Sequence, residues 1–341
     1  MKTKLMVFLS MIMLVATTVF GAEIKPVDVH FIDTGNSDSI LIVDNGKFAL
    51  IDGADNNDEQ LLVDYLNKQG IKELEYLILT HPDADHCGGL DAVVKNFNIK
   101  NVFVGNGNAD SKTYKDFINA CMAKKLQPSV PLADKTFKLG NGSFKFYNQN
   151  ANSKDVNDNS LVTLYTNGTT KYLFMGDAGV EVEKTLPLKE IGKVNVLKVG
   201  HHGSKTSSSD AFIKAVAPKY AVICCGKDNN YGHPHQEVIS ILNKYKVCTF
   251  KTDVDGTIVI TSNGKNISSK TKLSDIQLTS DTSQNITLNE EVVYITKSGK
   301  KYHNEGCECL HESKIKTTKN EAEVKGYTYC EKCFNMTKYQ K

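Results

Sequence analysis

The chain has 341 residues, of which 40% are hydrophobic, and a formal net charge of +2. This length allows one large domain and a small one, since domains typically have about 100–200 residues. The near-neutral charge excludes attraction of an acidic partner by overall charge alone, so any basic binding surface must be local. The sequence contains no arginine and no tryptophan. Every cationic contact to a phosphate or carboxylate must therefore come from lysine, which acts as a point charge.

The N-terminus has the pattern of a secretory signal peptide. Two lysines within the first four residues precede an apolar run at 5–20, and Gly21 and Ala22 close that run. A basic start, a short apolar run and small residues at the cleavage site are typical of such a peptide. A membrane anchor is the alternative, but polar residues interrupt the run and it is shorter than the ~20 apolar residues that a span needs. We expect cleavage after residues 1–22 and a secreted, extracellular protein with no stable membrane insertion.

Short apolar runs separated by turn residues define the predicted elements of residues 23–263. In the first half, strands are predicted at 27–33, 40–44, 48–52, 76–80 and 102–104, and helices at 58–69 and 90–97. In the second half, strands are predicted at 144–147, 160–166, 172–175, 194–199, 220–224 and 257–261, and helices at 180–186, 211–216 and 237–245. The helices follow from apolar residues at helical spacing and the first strands from a meander pattern. Two such halves imply an α/β fold, an αββα sandwich.

The composition changes after this domain. Residues 264–291 are rich in Ser, Thr and Asn and contain few large apolar side chains, which is typical of a linker. Residues 292–341 are predicted to form a separate small module.

The strongest chemical signal directly follows the predicted strand that ends at Thr80. His81, Asp83, Asp85 and His86 place four ligand-type side chains within six residues. At a strand-to-helix turn such side chains can converge on one point, and imidazole with carboxylate suits Zn²⁺ or Mn²⁺. The alternative is an ordinary charged turn on the surface.

Further candidates follow later strands. Each stands where a strand is predicted to end or a helix to begin, and they are Asp177, the pair His201 and His202, and His233. Asp33 and Asp52 end early strands and are candidates to orient ligating histidines, with simple turn capping as an equal alternative.

Six ordered motifs resemble the metallo-β-lactamase superfamily, and within it the soluble hydrolase domain of the competence DNA-uptake (ComEC-like) family. They are Phe31-Ile32-Asp33-Thr34-Gly35-Asn36-Ser37-Asp38-Ser39, Thr80-His81-Pro82-Asp83-Ala84-Asp85-His86, Asp158-Asn159-Ser160-Leu161-Val162, Met175-Gly176-Asp177, His201-His202-Gly203-Ser204 and Tyr231-Gly232-His233-Pro234-His235. Each motif alone is weak, but six in this order are specific for the fold.

The resemblance implies a set of metal ligands. His81 and Asp83 would bind a first ion, Asp85 and His86 a second; Asp177 would bridge the two, and His201 would complete the second site. Spacing alone does not decide between His201 and His202.

Two departures affect the first site. The superfamily generally has histidine at Asp83, and no histidine lies between His86 and His201 to supply the usual third ligand. Asp158, Asn159 or a water would take that place. Both changes make the site rich in oxygen, which favours Mn²⁺ or a single ion over two zinc ions.

The function implied by this resemblance is a phosphodiesterase or nuclease that cleaves DNA through a metal-activated hydroxide. Asp85 would orient the hydroxide, and His202 or His233 would donate a proton or hold the phosphate. A hydrolase of lactones, lactams or thioesters on the same fold is one alternative. A non-catalytic DNA-binding protein with a degenerate metal site is another.

The C-terminal module contains a second candidate site. His303, Cys307, Cys330 and Cys333 have the spacing of a structural zinc site, which a module of this size needs for stability. Disulfides among its cysteines are the alternative. The module resembles the small zinc-binding domain of the DNA-repair protein Ada, with His303 in place of a cysteine and Cys309 left over. Ten lysines against six glutamates and several tyrosines in 292–341 suggest contact with DNA, although a solvated surface explains them equally well.

Overall fold

A computed structural model describes residues 26–107, 109–272, 292–296, 299–307, 310, 313–318, 322 and 326–330. The predicted signal peptide lies outside these residues. Contacts divide the chain into two compact units, with the division between 277 and 278. Within the described ranges, no helix has the length and apolar character required to cross a membrane.

The first unit contains two seven-stranded sheets. Its strands are β1 Val27–Phe31, β2 Ile40–Asp44, β3 Lys47–Ile51, β4 Glu73–Leu79, β5 Asn98–Val104, β6 Thr136–Leu139, β7 Gly142–Tyr147, β8 Val162–Asn167, β9 Thr170–Phe174, β10 Val196–Lys198, β11 Tyr220–Ile223, β12 Cys248–Lys251, β13 Ile258–Ser262 and β14 Ile267–Ser269. Its helices are α1 Glu59–Lys68, α2 Ala84–Cys87, α3 Leu90–Asn96, α4 Lys112–Ala123, α5 Val180–Thr185, α6 Leu188–Ile191, α7 Asp210–Val216, α8 Gln236–Lys244 and α9 Thr252–Asp255.

Both sheets are mixed. The first has the order β14-β13-β1-β2-β3-β4-β5, and β3, β4 and β5 run parallel. The second has the order β12-β11-β10-β9-β8-β7-β6, with β9 to β12 parallel. Parallel neighbours end at the same edge of their sheet, so the loops that follow them meet there.

The core has three parts because each central strand is buried on both faces. In β4, Tyr76 and Ile78 enter the core between the sheets, while Leu77 and Leu79 face the helices on the outer side. In β9, Tyr172 and Phe174 join the central core and Leu173 the outer one. This alternation follows from the two-residue period of a strand. The predicted αββα sandwich is therefore confirmed, with α1, α3 and α4 outside the first sheet and α5, α7 and α8 outside the second.

The first domain extends further than the sequence suggested. Its end was expected at residue 263, with a linker from Gly264. Instead β14 pairs with β13, with Ile267 opposite Ser262, and Ile267 is buried against the central core. A single apolar residue among polar ones gives almost no periodicity, which explains why the sequence pattern did not reveal this edge strand.

The described residues of the second unit form a four-stranded sheet in the order β17-β15-β16-β18. Its strands are β15 Val292–Ile295, β16 Lys301–His303, β17 Ile315–Thr318 and β18 Thr328–Tyr329. The described core is small and consists of Val293, Ile295, Tyr302 and Ala322. A core of this size stabilises a domain weakly, and such modules usually depend on a metal ion or disulfides.

Candidate metal centre

The candidate residues of the first unit meet at one edge of both sheets. Asp52 follows β3 and His81 follows β4, while α2 carries Asp85 and His86. From the second sheet, Asp177 follows β9 and His202 follows β10.

Four of these side chains converge closely. The ligand-type atoms of Asp85, His86, Asp177 and His202 all lie within 4.8 Å of one another. His86 Nε2 is 3.1 Å from Asp177 Oδ1, and His202 Nε2 is 3.3 Å from Asp85 Oδ2 and 3.5 Å from Asp177 Oδ2. Three of the four are buried, and the Asp85 side chain is 35% exposed. The group therefore opens to solvent on the side of Asp85.

The residues predicted for the first ion lie beside this group. His81 is buried, with its ring centroid 4.2 Å from that of His86. Its Nε2 is 3.7 Å from Asp83 Oδ2, and the Asp83 side chain is 45% exposed. His81 and Asp83 are thus adjacent to the cluster without belonging to its most compact part.

The structure brings His202, rather than His201, into the compact group. His201 is partly exposed, and its Nε2 is 3.7 Å from Asp177 Oδ2. Both histidines have positive φ values, 50° and 51°, which non-glycine residues adopt at a cost of about 1–3 kcal/mol. The His202 side chain is 1% exposed and that of His201 is 25% exposed, a difference that spacing in the sequence does not encode.

Buried polar atoms test whether a metal ion fits this cluster. Within the described chain, Nε2 of His81, His86 and His202 and Oδ1 of Asp177 are buried without a hydrogen bond of acceptable geometry. A buried polar atom left in this state costs about 1–3 kcal/mol. Because all four belong to the neighbouring side chains above, one or two divalent ions would satisfy them together. Their nitrogen and oxygen donors suit Zn²⁺ or Mn²⁺.

The Nδ1 atoms of His86 and His202, which point away from the cluster, form hydrogen bonds with neighbouring residues. His86 Nδ1 lies 2.8 Å from Asp52 Oδ2, and Asp52 also accepts hydrogen bonds from the backbone N–H and hydroxyl of Thr80. His202 Nδ1 lies 2.8 Å from the carbonyl oxygen of Cys224, which can only accept, so Nδ1 carries the hydrogen. Both contacts leave Nε2 directed at the cluster, as bonds of this kind do in metal sites. Asp33, by contrast, is exposed and its carboxylate faces Gly35 of its own turn.

A buried ion pair behind the cluster was not anticipated from the sequence. Lys198 is fully buried in β10, and its Nζ lies 2.6 Å from Oδ2 of Asp38, which is 1% exposed. Asp38 Oδ1 is 3.4 Å from His202 Nδ1. The sequence does contain an indication of this pair, since Lys198 lies inside the apolar run at 194–199. A strand that is buried on both faces accepts a charged side chain only when an oppositely charged partner is present.

Ser160 lies where the missing third ligand of the first ion was sought. Its hydroxyl is 3.3 Å from His81 Nδ1 and accepts a hydrogen bond from the backbone N–H of Asp177. Both ends of the Asn159 amide bond to Ser153 and Asp155 instead. Asp158 accepts a hydrogen bond from Gly179 N and lines an acidic cleft of about 270 Å³ that also reaches Asp177. Asn159 is therefore occupied elsewhere, whereas Asp158 faces the approach to the cluster.

Burial and neighbouring charges determine the protonation of these groups. Burial, reinforced by the charge of His86, lowers the pKa of His81 to about 3, so this imidazole is neutral. Burial also opposes charge on His202, but the carboxylates of Asp177, Asp38 and Asp85 outweigh it and raise its pKa to about 10. Similarly, the contacts of Asp85 with His202 and His86 outweigh burial and lower its pKa to about 2. Without metal, the cluster thus holds protons where ions would bind.

This charge distribution predicts opposite pH trends for the two forms of the protein. Folding raises the pKa of His202 from 6.5 to about 10, so its stabilisation is complete below pH 6.5 and is lost as pH rises towards 10. We therefore expect the melting temperature of the metal-free protein to fall between pH 6 and 9. With Zn²⁺ or Mn²⁺ it should rise over the same range, because an ion requires the deprotonated nitrogen. Thermal unfolding, monitored by circular dichroism in EDTA and in added metal, measures the two pH dependences. If the melting temperature changed with pH in the same direction in both conditions, His202 would not be a metal ligand.

His233 stands outside the cluster in the loop before α8. Its ring centroid is 5.6 Å from that of His201 and 6.2 Å from that of His202. Burial and the charges of His202 and His201 lower its pKa to about 4, so it is neutral at pH 7. A neutral imidazole can bind a phosphate through its N–H group, but it is a poor general acid because the protonated form is scarcely populated at pH 7. Of the two roles predicted for His233, holding the phosphate is the one compatible with a neutral imidazole.

The second unit has a separate cluster. Ligand-type atoms of His303, Cys307 and Cys330 lie within 4.8 Å of one another, and all three residues are buried. His303 Nδ1 is 3.3 Å from Cys307 Sγ, and the two sulfurs are 3.9 Å apart, well beyond the ~2.05 Å of a disulfide. Cys333 lies outside the described residues. These three of the four predicted ligands therefore lie together.

Known proteins resemble this chain. The Metallo-beta-lactamase superfamily profile matches residues 32–108 and 156–227. ComE operon protein 3 of Bacillus subtilis is 32% identical over 202 residues, 59% of this chain and 26% of that protein. Recombination protein 2 of Haemophilus influenzae is 30% identical over 67% of this chain and 28% of that protein. Competence protein ComA of Neisseria gonorrhoeae is 30% identical over 66% and 31%, respectively.

The two-sheet fold and the buried His/Asp cluster define a protein of the metallo-β-lactamase type with a candidate metal centre. The chain belongs to the metallo-β-lactamase superfamily and is related to competence proteins of the ComEC type. The resemblance inferred from the six motifs is thereby confirmed. The chain spans less than a third of the length of these relatives.

Proposed function

We propose that the protein is a secreted phosphodiesterase that cleaves DNA. The observation that carries this proposal is the cluster of Asp85, His86, Asp177 and His202, whose buried unsatisfied atoms face a solvent-open side. A divalent ion held there would acidify a water molecule and neutralise charge on a phosphoryl group. The relatives named for competence and recombination support DNA as the substrate.

Several residues of this chain would have distinct roles in hydrolysis and DNA binding. Asp85, partly exposed, orients the attacking water, while Asp52 and the Cys224 carbonyl fix the imidazoles of His86 and His202. Exposed Lys205 and Lys227 lie in the loops that follow His202 and β11, where they can attract a phosphate backbone. With no arginine in the chain, lysine is the cation available for this purpose.

Hydrolysis of plasmid, linear and single-stranded DNA by the mature protein tests the proposal. Mn²⁺, Zn²⁺ and Mg²⁺ should be compared, with Asp85→Ala as the control. We expect metal-dependent cleavage by the wild type and none by the variant. Absence of cleavage with every metal, in a protein that nevertheless binds metal, would refute the nuclease proposal.

A hydrolase of lactones, lactams or thioesters is the second candidate. A cleft of about 610 Å³ that reaches Asn159 has no charged side chain among its described lining residues, which include Gly105, Tyr114 and Ser129. Uncharged walls suit a neutral substrate. If the same preparation hydrolyses a lactone or thioester but no DNA, this candidate replaces the first. Metal binding without hydrolysis of either would leave the non-catalytic DNA-binding protein.

We also propose that His303, Cys307 and Cys330 bind a structural zinc ion, with Cys333 as fourth ligand. Support comes from the compact triad and the small core around it. Cys330→Ser is expected to remove about one zinc per chain and to unfold this unit while leaving the metal of the first unit in place. Metal analysis combined with limited proteolysis measures both. Unchanged zinc content in Cys330→Ser would argue against the site.

Export and removal of residues 1–22 remain part of the proposal. The mass of the protein recovered from the medium should match a chain that begins at Glu23. A full-length mass in the cell fraction would contradict it.

A further inference from the structure

We propose that Tyr231 is a stacking platform for an unpaired nucleobase next to the phosphodiester at the metal centre. This inference rests on the proposed function and adds that the substrate is single-stranded at that point. Tyr231 is 69% exposed, the highest exposed fraction among the large hydrophobic side chains of the described chain. An aromatic ring left in water beside a candidate active site is available to a ligand.

The orientation of the Tyr231 ring follows from its contact with a neighbouring imidazole. Tyr231 is stacked on His233, with the ring centroids 5.5 Å apart and the planes at 19°. His233 in turn lies 6.2 Å from His202 with the planes at 23°. These separations are within the 4.5–7 Å of interacting aromatic pairs. A series of nearly parallel rings therefore leads from the cluster to solvent and ends at the free face of Tyr231.

The loop that carries Tyr231 is held in place by Asn229. The Asn229 amide oxygen accepts hydrogen bonds from the backbone N–H groups of Tyr231 and His233. Its amide nitrogen donates to the carbonyl oxygens of Gly226 and His233. The amide oxygen and both amide hydrogens of Asn229 are therefore used in bonds to the loop backbone. Because this backbone is already fixed, stacking of a ligand on Tyr231 costs little conformational entropy of the loop.

The chemistry of this face fits an unpaired base. Stacking on an aromatic side chain tolerates any base because every base has a π-face. Exposed Lys227 lies in the same loop and can contact the adjacent phosphate. In a duplex both faces of a base are already stacked, so the platform discriminates in favour of single strands and strand ends.

Fluorescence tests base stacking independently of cleavage. The chain has no tryptophan, so Tyr231→Trp introduces a single reporter. We expect oligothymidylate to quench it in the metal-free protein, whereas an oligomer of abasic deoxyribose phosphates of equal length should not. Met122→Trp, a substitution at an exposed position at the end of α4, is the matched control and should respond to neither. Equal quenching by the abasic oligomer, or no quenching, would overturn the proposal.

Kinetics supply the second readout. Tyr231→Ala should raise KM for single-stranded DNA by about 5- to 150-fold, with kcat changed far less, and Tyr231→Phe should retain the wild-type KM. Because the side chain is exposed, the melting temperature should not change. An unchanged KM in Tyr231→Ala would refute stacking while leaving the nuclease proposal intact. Quenching by oligothymidylate without any cleavage would refute the nuclease proposal and leave base binding supported.

Discussion

Replacing Asp177 with asparagine is expected to lower turnover by roughly 10²–10³-fold and to reduce the metal content of the first unit. Asp177 is the buried carboxylate that contacts the Nε2 atoms of both His86 and His202, at 3.1 Å and 3.5 Å. The amide retains the shape but removes the charge that offsets a divalent ion. Metal analysis and steady-state kinetics measure the two effects.

Asp210→Asn provides the control for the loss of a negative charge. Asp210 forms an exposed ion pair with Lys244 on the outer side of the second sheet, and such pairs contribute little. It should keep full activity and metal content. An Asp177→Asn protein with wild-type metal content and turnover would remove Asp177 from the site.

Asp52→Asn should lower metal affinity by about 10- to 100-fold, even though Asp52 is not proposed to touch the metal. Asp52 holds the outer nitrogen of His86 and two donors of Thr80. An amide presents a donor where two acceptor oxygens are needed, so His86 loses its orientation. Titration of the metal-free protein with Zn²⁺ or Mn²⁺ measures the affinity.

Asp44→Asn is the matched control for a buried carboxylate. Asp44 is the last residue of β2, whereas Asp38 precedes the start of this strand. The Asp44 carboxylate accepts hydrogen bonds from Asn141 N, Gly142 N and the Tyr165 hydroxyl. The substitution should destabilise the fold without changing metal affinity. If both variants lose stability equally and neither loses affinity, Asp52 has a structural role only.

The sequence predicted the fold well where patterns are local. β4 and the turn with His81 to His86 were predicted because apolar runs and ligand-type residues are adjacent in the chain. α4 was missed, although Ser111 caps its start and Tyr114, Phe117 and Cys121 have helical spacing. The polar residues Lys112, Lys115, Asp116 and Asn119 between these positions weaken the apolar pattern.

The site was predicted only in part because convergence depends on tertiary structure. Spacing identified Asp85, His86 and Asp177 but did not distinguish His201 from His202, whose backbone adopts a strained conformation. The Asp38–Lys198 pair joins residues 160 positions apart, and no local pattern indicates that they meet. Contacts of this type follow from the docking of two sheets.

The division of the metal centre between the two sheets has a consequence for folding kinetics. Asp52, His81, Asp85 and His86 come from the first half of the chain, whereas Asp177, Lys198 and His202 come from the second. Neither half alone holds a complete set of donors, so tight metal binding begins only when long-range contacts have formed. Such contacts form slowly because a long loop must close first. Time-resolved metal uptake during refolding would therefore report the docking of the two halves, a late event that secondary-structure signals do not detect.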